Sequence, residues 1–443
     1  MTRTTIFLIL FIWFISFHLT GRSQVKDSIW TLNACIEYAL QKNVSIQKAV
    51  LGNETDQINL DQTRASRFPS LNASASQNFG WEREMTDNEY GSYTASNASN
   101  YGISSSVRLY NGFKINNSIR QSELTYKASQ FDIETIKESV SLSILDAYLQ
   151  VLYADEQVKN CDNQIVSTTE QLRLAEERLV LGAISKSDYL MVKSELATEN
   201  LALANAQSLL ITNKVNLMQL MELPVTSDFS IEYPDFSNNI VQKRNLNNDS
   251  VYQISLSIKP QIKSSEINLQ ISDLEIAIAK AGYQPVISLN GGLSTGYSSG
   301  FTMDYGYQMG NKINPSGSLT LSIPIYQNKQ ARSGVALAKI NSRAAKLDDI
   351  NTKNQLRKEI ELACADVLSA EIRYEASLVQ YNATQEAYAV AEEKYNIGLL
   401  NSVDFIIQKT NLINAESELL QSKYNLVFSY KVLDFYEGMP LTF

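Results

Sequence analysis

The chain has 443 residues, of which 44% are hydrophobic and 19% charged, a balance that folds rather than staying disordered. Acids outnumber bases 47 to 38, and the resulting net charge of −9 argues against nucleic acid as a partner. Histidine occurs once, at His18, so a mature chain lacking its leader holds no histidine for Ser-His-Asp or Cys-His catalysis, for an H-E-x-x-H zinc site or for general-base work.

That leader is the first element predicted. Arg3 supplies a positive start, residues 6–19 an almost unbroken apolar core and Gly21-Arg22-Ser23 a small-residue cleavage zone. Residues 1–23 therefore read as a secretory signal peptide; the alternative, an uncleaved anchor, asks a short apolar run to span a bilayer. Cys35 lies well past the cleavage zone with no lipoprotein-type box before it, so no lipid anchor is expected. Cys35, Cys161 and Cys364 are odd in number and widely spaced, which fits neither a disulfide framework nor a metal site. Beyond residue 24 no stretch approaches 18 uncharged apolar residues, so membrane insertion would have to use β-strands.

Strands come next. Ile103, Val107 and Leu109 alternate with Ser104, Ser106, Arg108 and Tyr110, after a weaker and mostly polar segment at 71–81. Alternation at period two marks a strand with one apolar and one polar face. The pair spans about 69–110, joined by a loop expected over 82–100. Further along, Ile133, Val140, Ile144, Ala147, Val151, Ala154, Val158, Cys161, Ile165, Leu172, Ala175 and Leu179 step by three, four and seven. A period of 3.5 over many heptads predicts a supercoiled helix. Between Gly112 and Gly282 the single glycine is Gly182, and no proline occurs between Pro69 and Pro224. Such rationing suits two long helices joined at one glycine-bearing turn, a hairpin over about 113–222.

After a connector at 233–248 the pattern recurs. Pro69 and Pro285, Gly80 and Gly296, Tyr110 and Tyr326, Ala147 and Ala363, Gly182 and Gly398, and Asp188 and Asp404 all lie 216 residues apart. One gapless offset for six pairs in order predicts two tandem copies of one unit, 24–232 and 249–443. In the second copy Ile287, Leu289, Gly291 and Leu293 alternate with Ser288, Asn290, Gly292 and Ser294; Leu319, Leu321, Ile323 and Ile325 alternate with Ser318, Thr320, Ser322 and Pro324. This second strand pair, at about 285–326, is expected to be joined by a loop at 298–316 and followed by a hairpin at about 329–436. Its stripe is Leu356, Ile360, Ala363, Val367, Ala370, Tyr374, Tyr381, Tyr388, Ala391 and Tyr395.

Phe79, Trp81, Tyr101, Tyr110, Tyr297 and Tyr326 gather at strand ends. Aromatic-ended alternating strands with long outer loops fit an outer-membrane barrel; a soluble half-buried sheet shares the alternation, and a plain coiled-coil rod shares the heptads. Four strands are too few to close a barrel, and an open sheet in lipid leaves backbone groups unpaired. A channel reading therefore requires strands from other copies. Three copies would supply twelve.

With these features the chain resembles the TolC family of outer-membrane efflux and secretion channels. The resemblance covers nearly the whole mature chain, including WTLNACIEYALQKN (30–43) as an opening helix and the A-x-x-x-P turn into the first strand. It implies a mainly α fold with β: a homotrimer whose 12-stranded barrel spans the outer membrane of a Gram-negative bacterium, continued by a periplasmic tunnel of helical hairpins. It implies partners too, a periplasmic adaptor and an inner-membrane transporter of RND or ABC type. Function follows as a passive exit duct of an efflux pump or type I secretion system; a periplasmic adaptor or scaffold without a pore is the alternative. No enzyme activity, metal or cofactor is implied. Leu181, Gly182 and Ala183, and Ile397, Gly398 and Leu399, resemble the family's adaptor-docking tips, although Leu399 is large for the pattern. Asp188, Asp404 and Tyr395 match its aperture positions; for the two aspartates the alternative is an N-cap or solvated helix start, since Asp commonly begins a helix after a turn. Where some relatives carry an arginine two residues after the second tip glycine, this chain has Leu400, leaving Lys186 of the other tip as a replacement cation.

Overall fold

The computed structural model describes residues 29–86, 89–225, 229–234 and 247–442; the signal peptide at 1–23 and most of the 233–248 connector lie outside them. Two helices open the first copy, α1 (Leu32–Lys42) and α2 (Val44–Ala65), followed by β1 (Ser70–Thr86), β2 (Glu89–Tyr110), α3 (Lys114–Val180) and α4 (Lys186–Leu220). The second contains α5 (Asn248–Ile258), α6 (Pro260–Lys280), β3 (Val286–Ser298), a short α7 (Tyr305–Asn311), β4 (Asn314–Ser322), α8 (Gln330–Asn396) and α9 (Ser402–Glu437). Local chemistry sets these boundaries. Thr31 caps α1 by accepting the Ala34 N–H at 3.1 Å, and Pro260 stands in the first turn of α6, where its missing N–H costs nothing.

The duplication is visible in the backbone. The starts of α1, α2, β1, α3 and α4 recur 216 residues later at α5, α6, β3, α8 and α9. Left-handed backbone repeats at the same offset, at Gly112 and Asn328, Phe113 and Lys329, Gly182 and Gly398, and Glu222 and Gly438. Each copy therefore turns at the same places even where the residue type has changed.

The described residues fall into two compact units: one holds residues 45–138 and 248–361, the other residues up to Val44, 139–247 and 362 onward. The first contains the sheet, an antiparallel β1-β2-β3-β4 meander. Its register puts Ala73 beside Ile103, Ile103 beside Leu293, Val107 beside Leu289, Leu289 beside Leu319 and Ile287 beside Leu321. One face is thus an apolar field, and on it Leu71, Ile103, Leu289, Leu293, Leu319 and Leu321 are all exposed. The opposite face carries Asn72, Ser74, Ser104, Ser106, Ser288, Asn290, Ser318 and Thr320. Two expectations are corrected. Residues 89–100 belong to β2 instead of a loop, and β1 with β2 forms a ribbon that continues past the last residue paired to β3, Ala98. The 298–316 segment is not all loop either, since α7 lies within it. β4 stops at Ser322, just before Pro324, which cannot donate to a ladder.

The second unit is helical. Leu32, Cys35, Ile36 and Ala39 of α1 pack with Ile144, Tyr148, Val151 and Leu152 of α3, Leu217 and Met218 of α4, and Tyr424 and Val427 of α9. Each large side chain buried this way contributes about 1.5–3 kcal/mol. Trp30 pairs in parallel with Ile231, and the Tyr148 hydroxyl donates to the Glu232 carbonyl at 2.7 Å, tying the start of the described chain to the segment after α4. Burial pushes the Cys35 thiol up to about 12, so it stays protonated. Cys161 and Cys364 are likewise buried and not in disulfides. In the same unit the Lys409 ammonium of α9 lies 2.7 Å from Glu199 of α4, both about 5% exposed, and also bonds the Thr168 hydroxyl of α3. At the 216-residue offset Glu199 corresponds to Ala415 and Lys409 to Lys193.

Glu222 holds φ +57° where the second copy has Gly438 at +79°. A side chain in that region strains the backbone by about 1 kcal/mol. Glu222→Gly should accordingly raise stability by up to about 1 kcal/mol, read as a higher denaturation midpoint in guanidinium at an unchanged m-value.

Candidate functional site at the hairpin tips

Both hairpins turn by the same device. At the end of α3 the Ala183 N–H donates to the Arg178 carbonyl at 2.8 Å and the Gly182 N–H to the Leu179 carbonyl at 3.0 Å. At the end of α8 Leu399 donates to Lys394 at 2.8 Å and Gly398 to Tyr395 at 3.1 Å. This paired closure needs a left-handed residue, and glycine supplies it without a Cβ penalty: φ is +72° at Gly182 and +77° at Gly398. A Cβ on either glycine would meet no atom within 4 Å. Backbone conformation, rather than crowding within the chain, is what calls for glycine here.

Helix starts follow at once. Ser185 Oγ accepts the Asp188 N–H at 3.1 Å, while Asp188 Oδ2 accepts the Ser185 N–H at 3.2 Å and its hydroxyl at 2.7 Å. Asn401 Oδ1 accepts the Asp404 N–H at 2.8 Å and Asn401 Nδ2 donates to Asp404 Oδ2 at 2.8 Å. Asp188 therefore closes a capping box with Ser185, while Asp404 braces the side chain of its own N-cap, Asn401. The Ser185 hydroxyl first, then Ser402 in the first turn of the other hairpin's outgoing helix, hold the Asp188 carboxyl below the usual range. Asp404 is exposed and bonds within its own tip.

Between the turns the tips are apolar. Val180 and Leu181 are 83% and 81% exposed, Ile397 and Leu399 66% and 74%; Gly182 and Ala183 are exposed as well. Leu400 points the other way, packing on a cluster of Ala391, Tyr395 and Phe405. The Tyr395 ring stacks on Phe405 at 4.5 Å between centroids and 9° between planes, and among the described residues its buried hydroxyl has no hydrogen-bond partner.

Sequence reasoning missed Arg178. It reaches from the first hairpin to the second, donating to the Asn396 carbonyl at 2.9 Å and lying 5.7 Å from the Tyr395 ring centroid. A cation on the last carbonyls of a helix is favoured by the helix dipole, and Arg178 also contacts the aromatic ring. The signal was present, since an arginine stands in the last turn before a tip glycine, but its target lies 218 residues away. Among the described residues Lys186 has no ion pair.

Comparison with known proteins gives a consistent picture. The family model described as outer membrane efflux protein matches residues 35–222 and 251–438, two segments separated by the same 216-residue offset. The toxin and drug export protein A of Aggregatibacter actinomycetemcomitans is 19% identical over 92% of this chain and 88% of its own length. OprJ, an outer membrane protein of Pseudomonas aeruginosa, is 24% identical over 89% of this chain and 81% of its own. The crystal structure of the Campylobacter jejuni CmeC outer membrane channel superposes with a TM-score of 0.78 at 21% identity, covering 93% of this chain and 87% of that one.

Asp188 has a lowered pKa, so its part of the cap is fully present above the ordinary carboxylate pKa and is lost as pH falls through the depressed one. Ser185→Ala should weaken the start of α4 by about 1 kcal/mol at pH 7, seen as roughly fivefold faster amide exchange at Asp188 and Tyr189. The gap between the two proteins should narrow as pH falls through the depressed carboxyl pKa, where the wild-type carboxylate becomes protonated as well.

Proposed function

The chain belongs to the outer membrane efflux protein family, and from that premise we propose that it acts as a homotrimeric exit duct of a tripartite efflux or type I secretion assembly. In this reading three four-stranded sheets close a twelve-stranded barrel in the outer membrane. The helical hairpins extend into the periplasm, and the exposed apolar tips receive a periplasmic adaptor that couples the duct to an RND- or ABC-type transporter. The leader at 1–23 directs export and is removed; no lipid is attached.

One observation carries the proposal: a four-stranded sheet with an exposed apolar face, an opposite face of Ser, Asn and Thr, and two outer edges that pair with nothing in the described chain. In water that face would be an aggregation hazard. In a bilayer it meets hydrocarbon, while the hydroxyl and amide side chains line water. The stretch from Val286 to Thr295, at ~3.3 Å per residue and a tilt of ~40°, covers about 25 Å, the height of an outer-membrane apolar band. A pore-free adaptor or scaffold has no use for such a face.

Asp188 and Asp404 are proposed as aperture carboxylates that cap their helices and also face the constriction. Three chains bring up to six such groups together, which favours cations and repels anions. Tyr395 is proposed as part of the closed tip, held by Arg178 and Phe405 in place of the clasp that an arginine at position 400 would have made.

In a planar bilayer the purified protein should conduct, and the paired change Asp188→Asn with Asp404→Asn should lower its cation preference and raise its open conductance. Unchanged values would remove the aperture assignment. Leu319→Arg, at a residue paired with Leu289 within the band, should cost about 2–4 kcal/mol of membrane assembly, measured as loss of heat-resistant trimer from the outer-membrane fraction. Normal assembly would mean that this face does not meet lipid.

A further inference from the structure

A cleft of about 500 Å³ lies on the apolar face of the sheet, between β1–β3 and α7. Its floor is Ala73, Ala75, Ile103 and Leu293, and its far wall is Met309 and Ile313. Several bonds hold α7 over this floor. Met309 accepts the Thr295 hydroxyl at 2.7 Å, the Tyr305 hydroxyl donates to that of Tyr101 at 3.1 Å, and buried Gln308 bonds the Ser298 and Met303 carbonyls at 3.1 and 2.7 Å. The cleft is therefore a fixed feature of the fold rather than a gap under a loose loop.

Its position along the strands is informative. Tyr101, Tyr297 and Tyr305 sit at the α7 level, with the last two rings 5.1 Å apart. One register step below come Ile103 and Leu293, and then Val107, Leu289 and Leu319. Aromatic rings mark the membrane–water interface of a barrel. The cleft thus begins at headgroup height and opens into the apolar band. Next in the chain to the wall residue Ile313 stands Lys312, 3.8 Å from the Phe301 ring centroid and 2.6 Å from Gln308 Oε1. Among the described residues it has no carboxylate partner. The nearby acid, Asp304, is occupied as the α7 cap, accepting the Tyr307 N–H at 2.7 Å.

We infer that this cleft binds one acyl chain of a phosphate-bearing membrane lipid, with Lys312 as the partner of its headgroup phosphate. The inference rests on the proposed barrel reading, which supplies the membrane. Charge complementarity selects the ligand: Lys312, without a carboxylate partner among the described residues and set above an apolar slot, matches an anionic lipid better than a zwitterionic one, whose own cation Lys312 would repel. The Gln308 amide keeps the ammonium in place, and α7 separates the bound chain from bulk lipid.

The test uses the full-length trimer in vesicles of phosphatidylcholine containing a minor fraction of phosphatidylglycerol brominated on its chains. In a Trp81→Phe background, Ile313→Trp reports on the cleft and Leu321→Trp on the open band. Expected is at least threefold stronger quenching at position 313 than at 321, reduced to parity by Lys312→Gln. Equal quenching at both positions in the Lys312 protein would overturn the lipid site and leave the barrel intact. Absence of quenching at both would overturn the barrel reading itself. Native mass spectrometry of the unmodified trimer avoids the reporter substitutions: retained phosphatidylglycerol should fall severalfold with Lys312→Gln, and equal retention would sink the inference.

Discussion

A sheet in hydrocarbon has to pair every backbone N–H and C=O it carries, because each one left open costs several kcal/mol. In this chain the interior of the meander meets that requirement and its two outer edges, on β1 and β4, do not. The proposed trimer follows from this imbalance. The β1 edge of one copy can be satisfied by the β4 edge of the next, and closing the ring removes the edges altogether. Alternation of faces adds a direction, since closure with the apolar side outward leaves the serines and asparagines around water.

Two levels of duplication then serve one end. Within the chain, equal spacing of helix starts and of left-handed residues gives two hairpins of matching length and turn. Three chains would present six near-equivalent tips, so a ring with threefold symmetry acts at its narrow end as though it had six. The tips differ where it matters. Ser402 of the neighbouring hairpin helps lower the Asp188 pKa, whereas Asp404 bonds its own cap, and Arg178 braces the second hairpin from the first.

Much of this was legible in the sequence, for physical reasons. Rationed glycine and proline exposed the long helices, because both residues are costly in a helix interior, and heptad spacing named buried positions such as Val151, Ala154, Leu356 and Ile360. The strands facing a single apolar field, β3 and β4, showed clean alternation. The upper part of β2 did not: where the β1–β2 ribbon runs past β3, residues 93–96 are exposed on both faces, so polar and small residues interrupt the alternation and the segment reads as loop. Helix α7 was missed because one or two turns held by Gln308 leave no periodic trace. Arg178 and Ser402 were missed for another reason. Their roles depend on partners more than 200 residues away, and no local pattern encodes that proximity. The aspartates illustrate the converse: a resemblance singled them out, an aspartate after a turn already signals a helix start, and both stand in the first turn of a helix.

The buried contact among Lys409, Glu199 and Thr168 has a consequence for how the duplicated halves tell each other apart. Near-identical hairpins with similar apolar stripes could dock in swapped places or slide by a heptad at little cost. An ammonium enclosed beside one particular carboxylate forbids that, because any shift would strand both charges in a dry interior. Only the first half carries the acid; its counterpart in the second is Ala415. The contact works like the ward of a lock, admitting α9 between α3 and α4 in a single alignment and giving otherwise interchangeable pieces distinct addresses in the assembled wall.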